Sequence, residues 1–232
     1  MRKIFRILIT LPLVLVVIVA LINLRDDTLD PALGKLLTAQ PPQIPPDQNG
    51  YFAWIGVVGP SDQSPDIWGY RWYQEALQAD KRQPGENQTL EIESEKPKRD
   101  LVAENFACNK IESCLESVIG APDDARALLQ KGQDILERGD LAVSIPAYQE
   151  AWRPDFSIAS HLPSYANLYR QLSATRFALG IAEGRHDEAL TRLGQEMAFH
   201  IRQMQGASTL IEKLIATAHL RSDLMLLSQF IR

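Results

Sequence analysis

The chain has 232 residues, of which 45% are hydrophobic, 23% charged and 7% aromatic, with 13 glycines and 14 prolines. That composition excludes a collagen-like, low-complexity or wholly disordered protein. The formal charge is −5, and taking away Arg2, Lys3 and Arg6 leaves −8 on everything after residue 6. Such a balance argues against a nucleic-acid groove or a polybasic membrane patch, so no nucleic-acid partner is expected.

The N-terminus carries the strongest signal. Ile7 to Leu24 is an uncharged run of 18 residues, rich in Leu, Ile and Val. As a helix it reaches roughly 27 Å, close to the ~30 Å hydrocarbon core of a bilayer. It exceeds the ~7–15 apolar residues of a cleavable signal, and no A-x-A arrangement follows Ala20. The expectation is an uncleaved transmembrane helix over 7–24, in contact with the lipid bilayer. Residues 1–6 carry three basic side chains and should stay cytoplasmic, which sends the bulk of the chain across the membrane.

Residues 25–48 read as a stalk, because Pro41, Pro42, Pro45 and Pro46 favour an extended polyproline II spacer. Residues 49–232 then form a mostly helical domain with at most one short extended segment, placed at Tyr51–Gly59. Ile67–Ala79 predicts a helix, with Trp68, Trp72 and Ala76 on one face. Residues 80–100 mix five basic and six acidic residues and predict a solvated loop. Pro122-Asp123-Asp124 opens another helix, for which Gly139 is the expected stop, and Leu141–Pro154 is expected to be irregular.

From Pro163 the periodicity is clear. Tyr165, Leu168, Leu172, Thr175, Leu179 and Ala182 mark one helix, and Leu190, Leu193, Met197, Ile201 and Met204 the next. Leu210, Ile211, Leu214, Ile215 and Ala218 begin a third, with Gly184 and Gly206 as the breaks. Short turns require antiparallel packing, so 163–232 is the expected core, with Leu172, Leu193 and Leu214 in mid-stripe.

Ala178-Leu179-Gly180-Ile181-Ala182-Glu183-Gly184-Arg185-His186-Asp187-Glu188-Ala189-Leu190 resembles the turn and second helix of a tetratricopeptide repeat, over roughly residues 163–204. The whole chain also resembles single-span envelope proteins of Gram-negative bacteria. That second resemblance implies an inner-membrane location with the bulk periplasmic, and carries no activity or site residue.

Cys108 and Cys114 are the two cysteines, six positions apart. In an exported chain a disulfide is the expected state. A continuous helix would hold the pair about 9 Å apart, so a bridge requires a bend, placed at Asn109-Lys110. Free thiols or half of a zinc site are the other readings; zinc would need two more ligands, and no His lies within 40 residues.

Of the catalytic motifs, no G-x-S-x-G, H-E-x-x-H or P-loop occurs. No catalytic, cofactor-binding or metal residue is therefore assigned. His200 sits at the edge of the Met197–Ile201 stripe and reads as a semi-buried packing residue. His219 with Asp223 at i+4 shares a helix face, as a metal half-site or acid–base pair would, but reads as a helix-stabilising side-chain contact. The aromatic cluster of residues 51–73 is too large to leave in water. Its expected place is the domain core, with Trp68 and Trp72 docking the N-terminal segment onto the C-terminal helices. The competing assignment makes Trp54, Trp68, Trp72 and Tyr73 a partner surface. The leading functional expectation is a domain acting through contacts with an envelope protein. The alternatives are an anchored hydrolase built from Ser160, His161, His219 and Asp223, or an accessory subunit of a larger membrane complex.

Overall fold

The computed structural model describes residues 44–80, 108, 110–151 and 162–231. The expected membrane span 7–24, the expected stalk up to residue 43, the expected solvated loop from residue 81 on, Ser160 and His161 lie outside them. Among the described residues there are eight α-helices: α1 (Gly50–Ile55), α2 (Pro65–Asp80), α3 (Cys114–Gly120), α4 (Pro122–Lys131), α5 (Gln133–Ser144), α6 (Leu162–Ala182), α7 (His186–Gly206) and α8 (Leu210–Ile231). The fold is mainly α, and among the described residues the one β-type pairing is an isolated bridge between Asn49 and Ala147.

Two expectations about local structure are corrected. Tyr51–Gly59 is not extended: it forms α1 and a 3-10 turn at Gly56–Val58. An unbroken apolar run suits a buried helix as well as a buried strand. Here Asn49 selects the helix by accepting the backbone N–H of Tyr51 at 3.1 Å, an N-cap. The same side chain donates to Gln149 O and accepts from Gln149 N, which ties the end of the stalk to residues 147–149.

Gly139 does not end its helix either. The chain turns at Gly132 instead, between α4 and α5, and α5 runs on to Ser144. At Gly139 the ring of Tyr169 occupies the space a Cβ would need, so glycine permits α5 and α6 to approach closely. The residue marks a contact rather than a stop.

The α6–α7 turn follows the sequence reading. Gly184 has φ +75°, Arg185 N–H donates to Gly180 O and Gly184 N–H to Ile181 O. This is a Schellman closure, and its left-handed residue is glycine because a Cβ is disfavoured there. Packing is antiparallel between α6 and α7 and between α7 and α8, while α1 joins α2 to α5.

The core has two parts. One is aromatic and gathers Tyr51, Phe52, Trp54, Trp68, Trp72, Tyr148, Tyr169 and Phe199 around Leu172. The other surrounds Cys108 and Cys114 with Val118, Phe177, Leu193 and Leu226. Leu172 and Leu193 are thus buried as expected. Leu214 is not: it is 60% exposed. Its helix presents a different face to the core, with consequences taken up below.

Arg138 is a buried cation that the sequence pattern does not announce. From α5 its guanidinium donates to the carbonyls of Gly56, Val57, Pro60 and Gln63, at 2.5 to 3.1 Å. It thereby clamps the 3-10 turn and the loop between α1 and α2, adding a second donor to the Gly56 and Pro60 carbonyls that Gly59 and Gln63 N–H already serve. Replacing it by lysine, which lacks the planar fork, should cost about 1–3 kcal/mol in a urea titration. An unchanged midpoint would remove the loop-clamp role.

Candidate functional site

The sequence-predicted residues are distributed as follows. Cys108 and Cys114 form a disulfide with Cα atoms 4.4 Å apart, so the chain does bend between them. It ties the chain before the 3-10 turn Ile111–Ser113 to the start of α3, against Phe177 and Leu226. Thiol labelling of the unfolded, non-reduced protein should therefore find no free thiol; labelling of both cysteines would overturn the bridge.

Trp54, Trp68 and Trp72 are all buried, and Tyr73 is half-buried with its hydroxyl donating to Ala151 O at 2.9 Å. The docking onto the C-terminal helices falls to Trp54. Its ring lies 5.5 Å from Tyr169, 5.1 Å from Phe199, and 6.4 Å from both His200 and His219. Trp68 and Trp72 belong to α2, whose principal neighbour is α1.

Beneath Trp54 lies a buried polar centre. α8 turns Glu212, Ala216, His219, Asp223 and Leu226 inward, a stripe spaced 4, 3, 4, 3. α7 faces it with Leu193, Glu196, His200 and Gln203 at spacing 3, 4, 3. Six of these nine inward positions carry polar side chains, and hydrogen bonds link three of them, Glu212, Gln203 and His200, in series.

Tyr148 Oη donates to Glu212 Oε1 at 2.5 Å, and Gln203 Nε2 donates to the same oxygen at 2.6 Å. Gln203 then has only its carbonyl to offer His200, which is 3.1 Å away at Nδ1. The ring must donate from Nδ1, and neutral His200 consequently keeps its lone pair on Nε2. That nitrogen faces Asp223 Oδ2 at 3.6 Å. Its natural complement is a carboxylic acid, not a carboxylate. The His219 ring packs against His200 at 5.1 Å. Among the described residues, His219 Nδ1 and Asp223 Oδ2 are buried without a hydrogen-bond partner.

Protonation follows the same logic. Burial, with the neighbouring Glu196 charge adding to it, raises Asp223 to about 8. Burial lowers His200 to about 4, and burial together with His200 lowers His219 to about 3. At neutral pH the centre therefore holds two neutral imidazoles and a largely protonated Asp223. It has the donor order of an acid–base pair, yet Asp223 is 2% exposed and both histidines are under 5%. A proton can be shared within it, but no member is presented to a substrate.

Sequence reading placed His219 and Asp223 on one helix face correctly in direction, and missed the partner. His200 supplies it from α7. The available signal was the matching 3–4 spacing of polar residues in two consecutive helices, 196-200-203 and 212-219-223. Because Ser160 and His161 lie outside the described residues, their approach to this centre is not part of the geometry. Among the described residues, no cluster of three or more His, Cys, Asp or Glu side chains is arranged to hold a metal ion.

The inward polar stripe of α8 has an outward counterpart. Leu210, Leu214, Leu224 and Ile231 lie on the opposite face with Thr217, Arg221 and Ser228, spaced 4, 3, 4, 3, 4, 3, and all are exposed. Leu210 is 72% and Ile231 73% exposed. The helix is partly inverted: Glu212, His219 and Asp223 face the core while Leu210, Leu214 and Leu224 face outward.

Compared with known proteins, the chain matches no family model, no curated protein and no solved structure.

Proposed function

We propose that this is a single-pass inner-membrane protein, anchored by residues 7–24, whose periplasmic helical domain works by docking an envelope protein along α8. The outward face of α8 carries this reading. Four large aliphatic side chains in water at coiled-coil spacing are unfavourable, whereas a partner helix would cover them. The occupant that fits is an amphipathic helix laid along the stripe, with Arg221 available to an acidic residue on its edge. Membrane attachment rests on the uncharged run at 7–24 and its basic flank. No helix among the described residues is long and apolar enough to cross a membrane.

Two experiments test the reading. An alkaline-phosphatase fusion after residue 48 should be active in a Gram-negative host, and an inactive fusion would reverse the topology. A photo-crosslinking residue at Leu214 should capture another envelope protein in intact cells, while one at the exposed Glu137 on α5 should not. Capture of a second copy would make α8 a self-association seam instead. Adducts only to residues 1–43 of the same chain would make it an internal contact.

A change confined to this face should leave the fold intact. Leu214→Ala should shift unfolding by less than about 1 kcal/mol, against the 2–5 kcal/mol of a buried leucine. A loss in the buried range would show that the stripe packs inside the protein.

A further inference from the structure

We propose that the cleft between α5, α6 and α7 binds the oxyanion head, carboxylate or phosphate, of a small soluble molecule. The cleft encloses about 350 Å³, within the usual range of small-molecule pockets. Its charged walls are Arg176, Arg192, Arg202, Asp140 and Glu196. Apolar surface comes from Val143 and Ala198.

The cations are not all accounted for by the carboxylates. Asp140 receives both Arg176 nitrogens at 2.7 Å and Arg192 Nη1 at 2.9 Å. Glu196 accepts from Ser173 and, at 3.4 Å, from Tyr169, and lies 3.5 Å from Arg176. Both acids are thereby occupied by their own neighbours. Arg202 pairs with neither. It donates Nη2 to Val143 O at 2.7 Å and lies 5.9 Å over the Phe199 ring. Its Nε has no partner among the described residues.

A partly exposed guanidinium that no carboxylate neutralises keeps its charge available to an anion entering the cleft. Burial lowers its pKa, with no neighbouring acid to oppose the effect. The planar fork of arginine suits a carboxylate or a phosphate oxygen pair. One uncompensated charge calls for one anionic group, and the apolar wall leaves room for a short aliphatic portion. The ligand class is a small molecule carrying a single oxyanion group.

The test uses the full-length protein in neutral detergent, titrated calorimetrically with inorganic phosphate and with butyrate, chloride serving as the ionic-strength control. At least one probe should saturate with a Kd in the millimolar range or tighter. Arg202→Gln should weaken it by at least about tenfold, the loss of about 1.4 kcal/mol. Ala198→Trp, placed at an exposed position of α7 to fill the cleft, should abolish binding while Arg202 remains. Arg71→Gln, whose residue pairs with Glu75 on the surface of α2, should bind as the parent does. Saturation by phosphate alone would assign a phosphate ester, and by butyrate alone a carboxylate. The proposal is overturned if neither probe saturates, or if Ala198→Trp binds as tightly as the parent. Should Arg202→Gln fail to fold, the Ala198→Trp result decides.

Discussion

Replacing Trp54 by alanine should lower the unfolding free energy of the protein by about 3–5 kcal/mol, the range for losing a fully packed aromatic side chain. Trp54 of α1 meets Tyr169 of α6, Phe199 and His200 of α7 and His219 of α8. Its removal would leave a cavity bounded by three long helices, which cannot close over it without shifting. It would also admit water to the His200–His219–Asp223 centre, so the three groups should titrate closer to their ordinary values. The measurement is a urea titration of the full chain, with the histidine ring protons followed by NMR. A loss below about 1 kcal/mol would show that α1 is not the keystone between the two parts of the chain.

The pH profile of stability should depend on Asp223 with a defined sign. Its pKa is raised in the folded state to about 8 from an ordinary 3.8. The stability it contributes is complete below about pH 4 and is lost as pH rises through 8. The histidines act in the opposite sense. Their folded values are depressed, to about 4 for His200 and about 3 for His219. Their contribution is present above about pH 6.5 and is lost as pH falls through 4 and 3.

The charged and titratable groups around this centre are Glu196 on α7, Arg170 on α6 and Glu212 on α8. Arg170 opposes the ionisable neighbours only partly, holding Asp223 down and both histidines down as well. Between pH 4 and 6.5 the two histidines outweigh Asp223, a rise of about 3 kcal/mol from these three groups, which the burial-raised carboxyls of Glu196 and Glu212 oppose. Between pH 6.5 and 8 only Asp223 titrates, and stability should fall by about 2 kcal/mol. Asp223→Asn keeps a donor for His200 Nε2 and removes the titration. Its alkaline decline should shrink and its acid decline should steepen. Matching pH profiles for the variant and the parent would remove Asp223 from the account.

Local sequence determined the elements whose cause is local. Gly184 had to end α6 because its φ of +75° is open to glycine, and Pro122 with two acidic residues had to begin α4. The Cys108–Cys114 spacing required a bend. The helices α6, α7 and α8 were legible because a 3.6-residue period survives any packing arrangement. The uncharged run at 7–24 is likewise a property of the chain itself.

Tertiary structure decided what depends on which face meets which. Gly139 reads as a stop in isolation, but the Tyr169 ring makes it a close-approach position inside α5. Arg138 looks like any surface arginine until the 56–63 carbonyls converge on it from about 80 residues away. α8 is the clearest case, since leucines at 210, 214 and 224 outscore the polar stripe in any hydropathy count. Burial of Glu212 is made tolerable by the Tyr148 and Gln203 donors that arrive from other segments, while His219 and Asp223 are buried beside His200 and held neutral by that burial. A helix sequence specifies two faces; hydrogen-bond partners elsewhere in the chain choose which one turns inward.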